Sequence, residues 1–150
     1  MYLYLDLETA GVDPENQGIL EISARSDLGN INLHSKSTSS VDVGALVVNK
    51  LRISDITSRI VCEETALLSF LDYLLNLKKN MSSRELIVVG QNVQFDTNYL
   101  KIRLKKYGYT NLEAVLGYKI VDLHSLTLTL MEAGLLPKGK TSLSEIAHIS

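Results

Sequence analysis

The sequence predicts an α/β domain in which helices pack on a mixed β-sheet. Three observations predict this class. Three short apolar segments, bounded by turn residues, open the chain and indicate strands. Helical and strand-like patterns then alternate from Glu63 onward. No internal repeat or linker divides the 150 residues, a length typical of one domain with a real core.

The three opening segments are predicted as strands, and a short helix follows them. The strands span residues 2–11, 19–25 and 28–36. The link from Ser26 to Asn30 has the turn chemistry of a hairpin. The polar residues 35–40 indicate a loop, and residues 45–51 indicate a helix of one or two turns.

The segment from Glu63 to Lys79 is predicted as a long helix, because its apolar residues recur at helical spacing. Acids at its start and lysines at its end suit the helix dipole. We interpret the apolar stripe as core packing and not as a binding site. Its members are Leu67, Phe70, Leu71, Leu74, Leu75 and Leu77.

The second half of the chain is predicted to alternate strand and helix. Residues 86–89 form an unbroken apolar run, typical of a strand covered on both faces, and Gly90 ends it. Residues 94–107 are predicted as a helix with Gly108 as its C-terminal cap. The remaining elements are a strand over 118–121, a helix from Asp122 to about Ala133, and a last helical pattern opening at Thr141.

Composition narrows the possible classes of protein. The formal net charge of −2 argues against a protein that coats nucleic acid electrostatically, but not against an enzyme that grips a few nucleotides at a metal site. The single cysteine, Cys62, excludes an internal disulfide. No apolar run approaches the ~18 residues of a membrane span, and no basic leader opens the chain. We therefore expect a cytoplasmic protein that does not enter a membrane.

Asp6 and Glu8 are the first candidate site residues. Side chains alternate along a strand, so these two acids point the same way as Tyr2 and Tyr4. Adjacent carboxylates on a strand with an otherwise apolar pattern repel each other and lose hydration, and a divalent cation such as Mg²⁺ or Mn²⁺ would offset both effects. The alternative is an ordinary strand end at which both acids reach water, which is the commoner case for an isolated Asp-x-Glu.

Asp96 and Asn92 follow the strand over 86–89, at the kind of strand-to-helix junction where α/β sheets bind ligands. The alternatives are that Asp96 only favours a helix N-terminus and that Asn92 is only a turn residue. For Asp122 we favour a helix N-cap. A basic run in the same helix as Asp96 is interpreted as a solvated surface; it comprises Lys101, Arg103, Lys105 and Lys106.

The order of these motifs resembles the DEDD superfamily of 3′–5′ exonucleases, and within it the DnaQ-like branch. The resemblance rests on Asp-Leu-Glu-Thr-Ala-Gly over residues 6–11, on Asn-Val-Gln-Phe-Asp over residues 92–96, and on Val-Asp at 121–122. It extends through Ile-Ser-Asp-Ile-Thr at 53–57 to Lys-Thr-Ser-Leu-Ser at 140–144, and so covers essentially the whole chain.

The resemblance implies an RNase H-like fold: a five-stranded mixed sheet, with strand two antiparallel, flanked by helices. It also implies that Asp6, Glu8 and Asp96 are catalytic and hold two Mg²⁺ or Mn²⁺ ions. Asp6 would bridge the ions, Glu8 would hold the one that activates water, and Asp96 would serve the other. The implied reaction is hydrolysis of the last phosphodiester, which releases a nucleoside 5′-monophosphate.

The implied substrate is the 3′ end of single-stranded DNA or RNA. Thr9 and Val12 would grip the terminal nucleotide, and Asn92 is a further candidate for substrate binding. The resemblance leaves two partner arrangements open, a homodimer and a complex with a polymerase.

Three departures from the family pattern stand out. Ala10 replaces a frequent second Thr, and Ser54-Asp55 replaces a frequent His-Gly. No His-x-x-x-x-Asp pair occurs in the chain, and His148 falls too early for that motif. We therefore expect residues 1–150 to be an exonuclease domain that lacks its final helix and is impaired in this form. The alternative is a weak or inactive nuclease-fold module that binds nucleic acid or a polymerase or repair partner.

Overall fold

The computed structural model describes residues 1–37, 40–81, 85–137 and 139. The strands are β1 (Tyr2–Thr9), β2 (Ile19–Ser26), β3 (Gly29–His34), β4 (Ile87–Gly90) and β5 (Lys119–Asp122). The helices are α1 (Val43–Val48), α2 (Ile53–Thr57), α3 (Glu63–Asn80), α4 (Val93–Lys106), α5 (Glu113–Leu116) and α6 (Leu123–Glu132).

Strand β1 lies at the centre of a five-stranded sheet with the order β3-β2-β1-β4-β5. It pairs antiparallel with β2 and parallel with β4, and β5 continues the parallel side. The predicted five-stranded mixed sheet with an antiparallel second strand is therefore confirmed. Because β1, β4 and β5 run parallel, their carboxyl ends meet at one edge, where ligands collect in α/β sheets.

Helices α3 and α4 cover one face of the sheet. Leu3, Leu5 and Leu7 point from β1 into this core, as the alternating sequence predicted. They pack in one cluster with Phe70 of α3 and Leu100 of α4, both fully buried. Each such side chain contributes about 1.5–3 kcal/mol of burial free energy, so β1 is firmly held in the sheet.

The buried stripe of α3 differs from the prediction at one residue. Leu67, Phe70 and Leu74 are buried as expected, but Leu75 is 52% exposed. Each helical step turns the side chain by about 100°, so the residue after Leu74 faces away from the sheet. The stripe also begins earlier than predicted, at the buried acid Glu63.

Glu63 and Arg103 form a buried ion pair that the sequence did not predict. Both side chains are at most 2% exposed, and Arg103 binds the carboxylate through Nε (2.9 Å) and Nη2 (2.5 Å). The hydroxyl of Tyr107 donates to the same carboxylate at 2.8 Å, and the backbone N–H of Ile19 does so at 2.7 Å. The prediction of a solvated Arg103 is therefore wrong, because this carboxylate gives its charge a partner inside the protein.

Two of the short helices were not predicted, and a third is shifted. Helices α2 and α5 are about one turn each, too short to show an apolar period. Helix α1 begins at Val43, two residues before the predicted start at residue 45. Its N-cap is Asp42, whose carboxylate accepts a hydrogen bond from the N–H of Gly44 at 2.7 Å.

The second half follows the prediction closely. Helix α4 ends next to Gly108, whose φ of 86° suits the predicted C-terminal cap. Asp122 caps α6 by accepting from the N–H of Ser125 at 2.9 Å, which confirms its predicted structural role. The helical pattern from Thr141 and His148 lie outside the described residues. Within the described ranges, no helix is both long and apolar enough to cross a bilayer.

We predict that Gly90→Ala destabilises the chain by about 1–3 kcal/mol, the usual effect of overpacking. A Cβ atom at Gly90 would lie 2.6 Å from the carbonyl oxygen of Leu5, and that oxygen belongs to the central strand. Urea unfolding measures the change. Gly139→Ala is the matched control, because a Cβ atom there meets nothing within 4 Å. Equal stability of the two variants would contradict the close approach of β4 to β1.

Candidate active site

The face of β1 opposite the core carries Asp6 and Glu8. The two acids share this face with Tyr2 and Tyr4, each 52% exposed, so β1 is buried on one side only. Asp6 stands open to solvent, and Glu8 is half-buried at the carboxyl end of the strand. Asp6 and Glu8 are two residues apart, so their Cα atoms are separated by roughly 6.5–7 Å.

Asp96 reaches this end of β1 from the first turn of α4. The chain leaves β4 at Gly90, and Asn92 takes a left-handed conformation (φ 53°) that lets α4 begin at Val93. Asp96 is only 6% exposed, and its Oδ1 accepts a hydrogen bond from the backbone N–H of Leu7 at 2.9 Å. Leu7 lies between Asp6 and Glu8, so this bond brings the third acid next to the first two.

The three acids interact electrostatically. Burial, helped by the nearby charges of Asp6 and Glu21, raises the pKa of Glu8 to about 7. Burial also raises the pKa of Asp96 to about 7; the charges of Asp6 and Glu8 add to this, and the Leu7 N–H opposes it. Burial raises the pKa of Asp6 as well. Near neutral pH the folded chain therefore holds Glu8 and Asp96 partly protonated unless a cation compensates their charge.

Glu21 of β2 stands opposite Glu8 in the antiparallel pair, and its carboxylate already has side-chain partners. Arg59 forms an ion pair with its Oε1, and His34 Nδ1 lies 3.1 Å from the same oxygen. Neither Asp6 nor Glu8 forms a side-chain hydrogen bond or ion pair with another described residue. The two acids of the motif therefore differ from Glu21, whose carboxylate is already engaged.

Hard oxygen donors with mutual repulsion suit Mg²⁺ or Mn²⁺, so the chemistry of this donor set fits a divalent ion. The arrangement is not a finished cage, because no three His, Cys, Asp or Glu side chains in the described ranges are already placed to hold one ion. Asp96 directs Oδ1 to Leu7, and Asp6 and Glu8 are spaced along the strand. The side chains of these acids would have to rotate for an ion to bind here.

The predicted substrate contacts lie at three different places around the acids. Thr9 is buried, and its hydroxyl donates to the carbonyl oxygen of Gly11 at 2.7 Å. Val12 is 79% exposed in the loop after β1. Asn92 is exposed at the turn before α4. Alternation along β1 places Thr9 on the same side as Leu7, so its hydroxyl contacts the loop and not the open face.

A groove of about 530 Å³ runs along the open face of the sheet and reaches Asp6. Its lining includes Tyr4 on β1, Gln91 after β4, Arg25 on β2 and Asn32 on β3. The groove thus combines an aromatic ring, a cation and amide groups next to a carboxylate. Period-two alternation in the sequence places Tyr4 on this face, but only the strand pairing places Arg25 beside it.

We predict that the metal-free chain loses stability through Glu8 and Asp96 as the pH rises from about 4 to about 8. Their pKa is about 7 in the folded chain and near 4 in the unfolded chain, so the folded state binds more protons in this window. The stability that they contribute is complete below their pKa in the unfolded chain, and it is lost as the pH rises through their pKa in the folded chain.

Urea unfolding in a chelator at several pH values measures this effect. The double variant Glu8→Gln with Asp96→Asn should gain stability relative to wild type as the pH rises. A difference between variant and wild type that does not change with pH would contradict the raised pKa values.

Solved structures of exonuclease I share this fold. E. coli exonuclease I in complex with a dT13 oligonucleotide matches with a TM-score of 0.67 and 15% identity, over 87% of this chain and 29% of that chain. Apo exonuclease I matches at 0.69 and 16% identity, over 92% and 32%. An ExoI/SSB-Ct complex matches at 0.72 and 13% identity, over 96% and 32%.

The chain thus spans about a third of the length of these exonuclease I chains. No protein-family model matches the sequence, and no curated protein is significantly similar to it. At identities this low the likeness establishes the fold, and it agrees with the motif order that predicted it. The chain has the RNase H-like fold of exonuclease I.

Proposed function

We propose that this chain is a metal-dependent 3′–5′ exonuclease domain acting on single-stranded nucleic acid. The observation that carries the proposal is the bond from the Leu7 N–H to Asp96, which sets a buried acid beside Asp6 and Glu8 on the central strand. The exonuclease I fold supports this class of reaction. A cytoplasmic location, and a homodimer or polymerase complex, belong to the same proposal.

Asp6, Glu8 and Asp96 would hold two Mg²⁺ or Mn²⁺ ions. Such ions, when bound, generate a nucleophile at neutral pH and stabilise the charge that develops on a phosphate under attack. The raised pKa values of Glu8 and Asp96 support this assignment, because a nearby cation would return both groups to their charged forms.

The reaction we propose is hydrolysis of the last phosphodiester. Water attacks the terminal phosphorus, the bond to the 3′ oxygen of the preceding nucleotide breaks, and a nucleoside 5′-monophosphate leaves. Val12, exposed in the loop after β1, and Asn92, exposed before α4, would contact the terminal nucleotide. Thr9 would shape the loop through its hydrogen bond to Gly11. The groove that ends at Asp6 offers Tyr4 for base stacking and Arg25 for a phosphate.

The similar structures support the choice of a single strand. Exonuclease I has been seen in complex with a dT13 oligonucleotide and with a dA16 oligonucleotide. We infer from this that the present chain also accepts a single strand. DNA and RNA remain alternatives, since no described residue is assigned to a 2′-hydroxyl contact.

A second candidate function is a nuclease-fold module that binds nucleic acid, or a polymerase or repair partner, without useful turnover. One observation favours it: within the described residues no metal site is already assembled. Metal binding separates the two candidates, because a binding module has no need to bring three acids together.

We predict that Mn²⁺ raises the melting temperature of the chain, because an ion that binds only the folded state stabilises it. Asp6→Asn should reduce or abolish the shift by removing the acid nearest the groove. Asp72→Asn is the matched control, since Asp72 is exposed on the outer side of α3. A wild-type melting curve that Mn²⁺ leaves unchanged would favour the binding module.

We predict that a 5′-labelled single strand incubated with Mg²⁺ shortens stepwise from its 3′ end. Glu8→Gln and Asp96→Asn should each slow the reaction by about 10²–10³-fold, the usual effect of removing one electrostatic stabiliser. A denaturing gel follows the ladder. Internal cleavage, or activity that survives both substitutions, would contradict the proposed site.

A further inference from the structure

Helix α4 presents a second set of polar side chains on the face that carries Asp96. Tyr99, Arg103 and Lys106 follow Asp96 at intervals of three, four and three residues, so they lie along one side of the helix. Asp96 binds the backbone of β1. The three residues that follow it all bind backbone carbonyls of residues 11–18, the loop that joins β1 to β2.

Five hydrogen bonds join α4 to this loop, and four of them are at least partly buried. The hydroxyl of Tyr99 lies 3.2 Å from the Gly11 carbonyl oxygen and 3.1 Å from that of Gln17. Nη1 of Arg103 donates to the carbonyl oxygens of Pro14 at 3.1 Å and Glu15 at 3.4 Å. Tyr99 and Arg103 are each 1% exposed. Two buried side chains of α4 thus hold the backbone of a loop more than eighty positions earlier in the chain.

The buried ion pair fixes the direction of the Arg103 fork. Glu63 accepts from Nε and Nη2, which leaves Nη1 facing the loop. The same carboxylate accepts from the N–H of Ile19, the first residue after the loop. One acid therefore orients the side chain that holds the middle of the loop and also anchors the loop's exit into β2.

The loop is also closed on itself. The N–H of Ala10 donates to the Gly18 carbonyl at 2.8 Å, which joins the two ends of the loop. The side chain of Gln17 lies directly over Gly11, where a Cβ atom would come within 2.1 Å of it. Val12 emerges from this closed loop with most of its surface exposed.

We infer that Tyr99 and Arg103 are positioning residues, which hold the loop over 11–18 in one arrangement relative to Asp6, Glu8 and Asp96. The inference rests on the proposed function, since it makes the loop a preformed binding surface for the terminal nucleotide. A loop fixed before binding loses less conformational entropy on binding, so its anchors act on substrate affinity. A helix that carries both a site acid and the loop anchors fixes the distance between them.

The test compares the full chain with Tyr99→Phe, which removes one hydroxyl and keeps the ring. Tyr73→Phe is the matched control, because the Tyr73 hydroxyl donates to the Gly29 carbonyl at 2.9 Å, at the β2–β3 turn. Arg103→Lys is the second variant, since lysine keeps a charge beside Glu63 but lacks the fork that also reaches Pro14.

Two readouts are needed. Hydrogen exchange of the amides in residues 11–18 should accelerate by about 2- to 10-fold in Tyr99→Phe, the range expected for one lost hydrogen bond. Affinity for a fluorescent oligothymidylate with a free 3′ end, measured with Ca²⁺ in place of Mg²⁺, should weaken over the same range. The Mn²⁺-induced rise in melting temperature should stay at its wild-type value, and Tyr73→Phe should change neither readout.

The possible results distinguish a failure of the inference from a failure of the proposed function. Unchanged exchange in Tyr99→Phe and Arg103→Lys would overturn the anchoring. Faster amide exchange with unchanged affinity for the oligonucleotide would show that Tyr99 and Arg103 only stabilise the loop, and it would overturn the inference. A wild-type chain that does not bind the oligonucleotide would overturn the proposed function and the role of the loop in substrate binding. The exchange data would still show whether Tyr99 and Arg103 anchor the loop. If Arg103→Lys fails to fold, the exchange and affinity of Tyr99→Phe alone decide between these outcomes.

Discussion

The hydrogen bond between the Leu7 N–H and Asp96 Oδ1 is the contact on which the candidate site depends. It joins a polar group of the central strand to a helix residue and places that residue's charge beside Asp6 and Glu8. An N–H donor stabilises a carboxylate, yet here burial and two neighbouring acids outweigh it and the pKa of Asp96 still rises to about 7. The bond therefore fixes the position of Asp96 but does not remove its repulsion by the neighbouring acids.

Much of this arrangement could be predicted from sequence, because it follows from local periods. Alternation along β1 separates Leu3 and Leu5 from Asp6 and Glu8, and the strand pairing confirms that separation. The fold class follows from the order of elements, and the role of Asp122 follows from its place before a helix. The alternation and the helix cap involve residues within a few positions of one another, where spacing carries the information.

The features that could not be predicted depend on residues far apart in the chain. Glu63 and Arg103 are forty positions apart, and each alone has the sequence signature of a surface charge. Their burial is favourable only because each finds the other, and no local pattern encodes that meeting.

The chain thus contains two kinds of acid removed from water, and the contrast between them bears on the proposed metal site. Glu63 is surrounded by Arg103, a tyrosine hydroxyl and a backbone N–H, so its charge is matched within the protein. Glu8 and Asp96 are desolvated in the company of other acids. This contrast supports the proposed cation site, because a divalent ion from outside the chain would match the charges of Glu8 and Asp96 with the oxygen ligands already present.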